Sequence, residues 1–378
     1  MGDRLLTAAA GRLRECVRVE DTAARLGGDE FAIVLENVSG KDEAAEVAER
    51  VEERFRVPFI LDNRKLFVGT SIGIAVGDSA GDRPDELMRK ADLAMYRAKR
   101  RGKARYEVFE PAMDEEVQGR LQLENDLRSG FEGGEFELYY QPKVSIEDGV
   151  VVAFEALLRW EHPERGLLLP RDFIQTVEEI GLIVPFGRWV LREACRQVKE
   201  WHERHPGNHS LVACVNVSAK QLEQTDLVEA VSEVLNETGL EPRDLALELT
   251  EGAFISEDSS ISNTLRRLRE LGIKLVIDDF GIGYSSLSYL RRLPVDFLKI
   301  DRSFIEKLGR EHEETTIVRV ILQVSHALGI KVTAEGVETE DQLSRLREMR
   351  CDLAQGHYFA RPMPAREVAA YLTKGFDR

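Results

Sequence analysis

The chain has 378 residues and 42.8 kDa, with 43% hydrophobic and 7% aromatic residues and 52 basic against 68 acidic ones. That length is more than twice a typical domain of roughly 150 residues and argues for two domains, while the ordinary composition excludes a disordered or fibrous chain. A formal charge of −16 argues against nucleic acid or anionic lipid as a partner.

The first part alternates in type. A helical run spans LLTAAAGRLRECV (5–17), a short strand pair RLGGDEFAIVL (25–35), a charged helix KDEAAEVAERVEERF (41–55), a strand FVGTSIGIAV (67–76) and a helix PDELMRKADLAMYRAKRRG (84–102). This order predicts a small α/β sheet domain over 1–112. Met113, Val117 and Leu121, then Leu127 and Phe131, fall four apart, which predicts a helix over 113–131 opening a second domain at 113–378.

The rhythm then changes. Short apolar runs, each ending in an acidic or amide residue, recur between helical segments: VVVAFE155, LVACVN216, LALE248, KLVID278, FLKID301, KVTAE335 and LAQ355. Their spacing suits βα units of a parallel sheet, and the interval from 155 to 216 is long enough for two. Continuous apolar strands suit a sheet covered on both faces. About eight of them predict a TIM-type (β/α)8 barrel, whose site gathers at the C-terminal ends of the strands.

No apolar run reaches the ~18 to 20 residues of a membrane span, and the N-terminus lacks a signal peptide's apolar segment. The fragment is therefore expected in the cytoplasm, without contact to a membrane, though a longer parent is free to carry an anchor. Cys16, Cys195, Cys214 and Cys351 form no C-x-x-C pair and are expected as buried thiols. His202, His205 and His209 cross a Pro-Gly break and read as a polar helix end rather than a metal site.

A single Asp or Glu after a strand is usually a helix cap or turn residue. Together, however, Glu155, Asn216, Glu248, Asp278, Asp279, Asp301 and Glu335 converge on one barrel mouth. Six carboxylates that close require neutralising, and hard divalent cations take such oxygen ligands. Two ions plus Lys299 bring the mouth near neutrality. The adjacent pair Asp278-Asp279 suits a two-metal site, in which a water attacks phosphorus in line. Lys299 and Asp301, two apart on a strand, share a face, and Asp301 is placed to hold Lys299, with a plain salt bridge as the alternative. Gly281-Ile282-Gly283 reads as a mobile loop beside the metals.

These motifs resemble the EAL family of cyclic-di-GMP phosphodiesterases over residues ~117–378. The signature is Glu155-Ala156-Leu157 continued by LLRW, with YYQPK (139–143), NVS (216–218), ELTE (248–251), DDFGIGYSSL (278–287), LKID (298–301), AEGVE (334–338) and QGHYFARP (355–362). The resemblance implies hydrolysis of cyclic-di-GMP to linear pGpG with two Mg²⁺ or Mn²⁺ ions. It implies metal ligation by Glu155, Asn216, Glu248, Asp278 and Asp279, and a Glu335 that activates or holds the attacking water. Lys299, Asp301 and Gln355 would support water and metals. Arg159, beside Leu158, would clamp a phosphate, and Gln141 would lie near a guanine. Glu251 and Glu338 would brace the loop of Gly281 and Gly283. A non-catalytic cyclic-di-GMP receptor is the alternative from another class.

The N-terminal part resembles a GGDEF diguanylate cyclase domain, carrying Gly27-Gly28-Asp29-Glu30, the R-x-x-D inhibitory pair Arg18 and Asp21, and Lys99 as a phosphate contact; Lys103 stands where Arg is usual. The chain begins at GDRLL, so the family's preceding half is expected to be missing, leaving a remnant that is inactive, regulatory or able to bind GTP. A bifunctional parent remains open. The resemblance further implies a homodimer.

Overall fold

The computed structural model describes all residues except 1, 63, 78–82, 103, 205–210, 225, 255–258, 282–289, 291–292, 310–311 and 375–378. Gly283, Ile282, Lys103, His205 and His209 lie outside the described residues. The chain divides into two units, Met1–Leu123 and Glu124–Arg378, and helix Ala112–Gly133 runs across the division.

In the first unit α1 (Gly2–Glu15), α2 (Lys41–Arg56) and α3 (Pro84–Arg100) accompany three two-stranded pairings. β1 (Thr22–Gly27) and β2 (Glu30–Val34) are antiparallel, as are β3 (Phe59–Leu61) and β4 (Arg64–Leu66); β5 (Ile72–Ile74) and β6 (Tyr106–Val108) are parallel. Ala44, Ala48, Val51 and Phe55 recur at helical spacing and form the buried stripe of α2. Ala9, Leu13, Cys16 and Phe59 join Val51 and Phe55 in one cluster. The strand expected over 67–76 is regular only at Ile72–Ile74. Gly73 marks a close approach there: a Cβ at this position would lie 1.9 Å from the Ala91 carbonyl, so glycine lets α3 close onto β5.

The second unit is a closed barrel. β7 (Phe136–Ser145), β8 (Val151–His162), β10 (Val212–Asn216), β11 (Leu245–Thr250), β12 (Lys274–Phe280), β13 (Phe297–Ile300), β14 (Lys331–Ala334) and β15 (Leu353–Ala354) form the ring, because β7 pairs with both β8 and β15. β9 (Gly166–Leu168) and β16 (Met363–Pro364) extend it at the sides. Parallel pairing runs from β8 through β10 to β15, and among the described residues helices follow β8, β10, β11, β13 and β14, so the TIM-type expectation holds.

Two details differ from the expected all-parallel ring. The eighth strand does not lie between 155 and 216, where helices Pro170–Glu179 and Ile183–Arg204 fill the interval. It is β7, ahead of the first run, and it is antiparallel to both neighbours. Only a short connection joins Ser145 to Val151, and so short a loop links antiparallel strands alone.

Ala153, Val212, Cys214, Ala246 and Val276 pack the lower interior. The second half of Ala112–Gly133 and the residues just after it pack on helix Ile183–Arg204 and β8: Phe131 stacks on Phe186 at 4.2 Å between centroids, Trp160 Nε1 donates to Glu135 at 2.9 Å, and His162 Nε2 meets Asp126 at 3.2 Å. All four cysteines are buried and free. Buried His202 has Nε2 2.9 Å from the Leu211 carbonyl oxygen, a packing role. Among the described residues no helix is long and apolar enough to cross a membrane.

Candidate active site at the barrel mouth

Strand alternation decides what faces the interior. On β7 it turns Gln141 and Lys143 inward, and on β8 Glu155 and Leu157. Gln141 sits directly opposite Glu155 across the β7–β8 pair. Glu248 on β11 and Lys299 on β13 are each 1% exposed. Glu335 and Gln355 follow the last residues of β14 and β15, where strand ends open into the mouth.

Asp278 and Asp279 need a further device, because adjacent residues of a regular strand point to opposite faces. The β12–β13 register shifts between Ile277 and Phe280, and Asp279 adopts φ 54°. This bulge, with a left-handed residue that Asp tolerates better than most, turns both carboxylates toward one place. Carboxylate oxygens of Asp278, Asp279 and Glu335 come within 4.8 Å of one another and can hold a metal ion.

Lys299 lies at the centre. Its Nζ is 2.6 Å from Glu248 Oε2, 2.6 Å from Glu335 Oε1, 3.0 Å from Asp278 Oδ1 and 3.6 Å from Glu155 Oε2. Burial would lower its pKa, yet the surrounding carboxylates hold it well above the ordinary lysine value. Glu248 would be raised by burial, but Lys143 and Lys299 bring it below the usual carboxylate range. Glu335 goes the other way: burial, with Asp278 and Glu155 adding repulsion, outweighs Lys299 and pushes it up to about 8. Burial and the Asp278 charge also raise Asp279.

Amides frame these charges. Asn216 Nδ2 donates to Glu155 Oε1 at 2.8 Å. Gln355 Nε2 donates to Glu155 Oε2 at 2.6 Å and to Gln141 Oε1 at 3.0 Å, and Gln141 Nε2 donates to the Ala360 carbonyl at 3.1 Å. Among the described residues buried Gln355 Oε1 has no hydrogen-bond partner, and Gln355 borders a cavity of about 240 Å³. Lining that cavity are Gln141, Glu155, Asp278, Lys299, Glu335 and Gln355, with Leu157, Arg302 and His357 also on its wall.

Some expected roles fall differently. Asp301 does not hold Lys299; its Oδ1 accepts from Ser303 N at 2.9 Å and caps helix Arg302–Glu306, the ordinary use of an Asp after a strand. Leu157, rather than Leu158, lines the cavity, because it is Leu157 that shares the inward face with Glu155. Buried Arg159 donates to the Leu158 carbonyl at 2.8 Å and lies 5.4 Å from the Tyr139 ring centroid. Burial lowers its pKa. Glu251 Oε2 accepts from Gly281 N at 3.4 Å, while Glu338 meets Arg302 Nη2 at 3.2 Å and His357 Nδ1 at 3.9 Å.

Sequence reasoning missed Lys143, 3% exposed and ion-paired with Glu248. Its signal was available: it stands two residues from Gln141 on one strand, hence on the same face.

In the first unit Gly28 takes φ 48° in the two-residue turn between β1 and β2, and its carbonyl accepts from Arg25 at 2.7 and 3.0 Å. That turn presents exposed Asp29 and Glu30 beside Gly27. Asp21 bonds the backbone of Arg18, while the Arg18 side chain turns to another partner. Arg18 Nη2 pairs with Glu43 at 2.8 Å, and Asp21 accepts from the backbone of Arg18 and Glu36 at 2.8 and 3.1 Å. Lys99 is exposed on α3.

A TIM-type barrel with an acidic, lysine-centred mouth is the class that fold and site define. Residues 124–362 match the EAL domain model, and residues 1–105 match that of the diguanylate cyclase, GGDEF domain. The chain belongs to the EAL-domain family, with a GGDEF-domain segment before the barrel. It is 43% identical over 370 residues to the bifunctional diguanylate cyclase/cyclic di-GMP phosphodiesterase MucR of Pseudomonas aeruginosa, covering 98% of this chain and 54% of that protein. To the cyclic di-GMP phosphodiesterase PdeR of Escherichia coli it is 38% identical, covering 96% and 54%. A solved structure described as the PaMucR phosphodiesterase in complex with c-di-GMP is 43% identical, with TM-score 0.63, covering 65% of this chain and 99% of the other. The chain spans about half the length of the curated relatives it matches.

Proposed function

We propose that this chain is a cyclic-di-GMP phosphodiesterase that opens the ring to linear pGpG with two Mg²⁺ or Mn²⁺ ions. The observation that carries this is the bulge-built cluster of Asp278, Asp279 and Glu335 beside Lys299 and an open cavity. Hard carboxylate oxygens and an amide fit Mg²⁺ or Mn²⁺ rather than a thiophilic ion. Glu155, Asn216, Glu248, Asp278 and Asp279 would hold the ions. When bound, such ions lower the pKa of water and neutralise charge developing at phosphorus.

The protein's own groups account for the rest. Glu335 is protonated in the metal-free mouth; a cation held beside it would favour its carboxylate form, which would then accept a proton from the attacking water. Lys299 orients Glu335 through its 2.6 Å contact. Gln355, on the cavity wall, holds Glu155 in place through its 2.6 Å bond. Arg159 supplies a guanidinium for a phosphate, and Gln141 lies at the cavity wall for a base edge. Water oxygen joins phosphorus, the P–O3′ bond breaks, and the released O3′ takes a proton, leaving one 5′-phosphate in pGpG.

The catalytic unit in this proposal is 113–378, entered through Ala112–Gly133; a cut at 113 or at 124 differs only in where that helix is counted. Incubating the chain with cyclic-di-GMP and Mg²⁺ or Mn²⁺, then separating products by chromatography, tests the proposal. A linear dinucleotide is expected, lost in Glu155→Ala. Ligand binding without any product would assign the barrel to a receptor role instead.

A further inference from the structure

The strands bring two lysines, not one, onto the same buried carboxylate. Lys143 Nζ contacts Glu248 Oε1 and Lys299 Nζ contacts Glu248 Oε2, with side-chain exposures of 3%, 1% and 0% for Lys143, Lys299 and Glu248. Their obligations differ. Lys299 is shared among Glu155, Glu248, Asp278 and Glu335, whereas the ion pair described for Lys143 is with Glu248 alone.

A buried ammonium is costly, and an apolar side chain of similar volume would pack the interior more cheaply. Cys214, Ala246 and Val276 show that apolar residues fill the adjoining interior. The lysine therefore needs a reason beyond packing, and its geometry supplies one. Pinned at Oε1, Glu248 cannot rotate about its last bond, and Oε2 stays directed at the centre of the mouth. A divalent cation arriving among Asp278, Asp279 and Glu335 competes with Lys299 for the same oxygens. Once Lys299 turns from Glu248, Lys143 is the cation that still balances and orients this carboxylate.

We propose that Lys143 is a positioning residue for the divalent-cation site, acting through Glu248. This rests on the proposed metal-dependent activity. Partners that orient a metal ligand typically govern affinity by about 10- to 100-fold.

Calorimetric titration of the full chain with Mn²⁺ alone is the test. Lys143→Met is expected to bind Mn²⁺ at least about tenfold more weakly than wild type, with Lys143→Arg recovering part of the loss. Because the effect runs through Glu248, the double variant Lys143→Met/Glu248→Gln should bind Mn²⁺ no more weakly than Glu248→Gln alone. Wild-type or tighter Mn²⁺ binding by a folded Lys143→Met overturns the proposal, as does a further loss in the double variant. If circular dichroism shows Lys143→Met unfolded, Lys143→Leu, which likewise offers Oε1 no donor, carries the same comparisons. A wild-type chain that binds Mn²⁺ but leaves cyclic-di-GMP uncut would sink the activity while the Mn²⁺ affinities still decide the role of Lys143.

Discussion

Glu335 makes the metal-free protein sensitive to pH in an unusual direction. Its carboxyl is raised from 4.5 to about 8, so between those values the folded state keeps a proton that the unfolded chain releases. Stability then falls as pH rises through this window and levels off above it. A shift of that size corresponds to at most about 5 kcal/mol, and the side chain is only 19% exposed, so solvent screens little of it. For a barrel of this size the loss amounts to on the order of 10 °C in Tm. Scanning calorimetry in EDTA from pH 5 to pH 9 reads it directly, with Glu335→Gln as reference because it cannot titrate. Wild type should lose Tm across the window relative to Glu335→Gln, and Mn²⁺ should flatten the wild-type curve by replacing the proton with a cation. Parallel Tm curves for the two proteins in EDTA would refute the burial argument for Glu335.

Two further outcomes follow from contacts near the mouth. Asp301→Ala removes a helix cap and should cost about 1 kcal/mol in denaturant unfolding while slowing turnover far less than Lys299→Met, which leaves buried carboxylates without their cation at about 3 to 5 kcal/mol; equal losses of turnover would restore a direct role for Asp301. Gly356→Ala puts a Cβ 2.1 Å from the Val337 carbonyl and must part the 3.0 Å bond from Val337 N to the Gln355 carbonyl. A cost of roughly 2 kcal/mol and a displaced Gln355 should lower both the urea midpoint and turnover, and an unchanged midpoint would mean the backbone yields freely.

Much of this site was legible because its residues end apolar runs, and strand ends of a barrel converge. Glu155, Asn216, Glu248, Asp278 and Glu335 all follow from that pattern. What escaped depends on geometry that a run of letters does not carry. The pair Asp278-Asp279 announces itself as adjacent carboxylates, but only the bulge and the φ of 54° at Asp279 bring both to one side. Leu158 differs from Leu157 by one position, and one position on a strand reverses the face. Lys143 stands mid-strand with no acidic neighbour in sequence; its partner Glu248 lies 105 residues away. Asp301 carried two meanings, and the free N–H groups of the helix that follows it chose between them.

The antiparallel first strand has a consequence for when the site comes into being. β7 meets β8 through a short loop but reaches β15 only after nearly the whole barrel has been laid down. Gln141 and Gln355 are 214 residues apart, and Glu155 and Gln355 are 200 apart. Contacts of such separation form late, because loop closure must precede them. The mouth is thus assembled by the same event that seals the ring, and a barrel folded only as far as β14 carries most of the acidic ligands without the amide clasp that arranges them. Competence to bind arrives with completion of the fold rather than accumulating strand by strand.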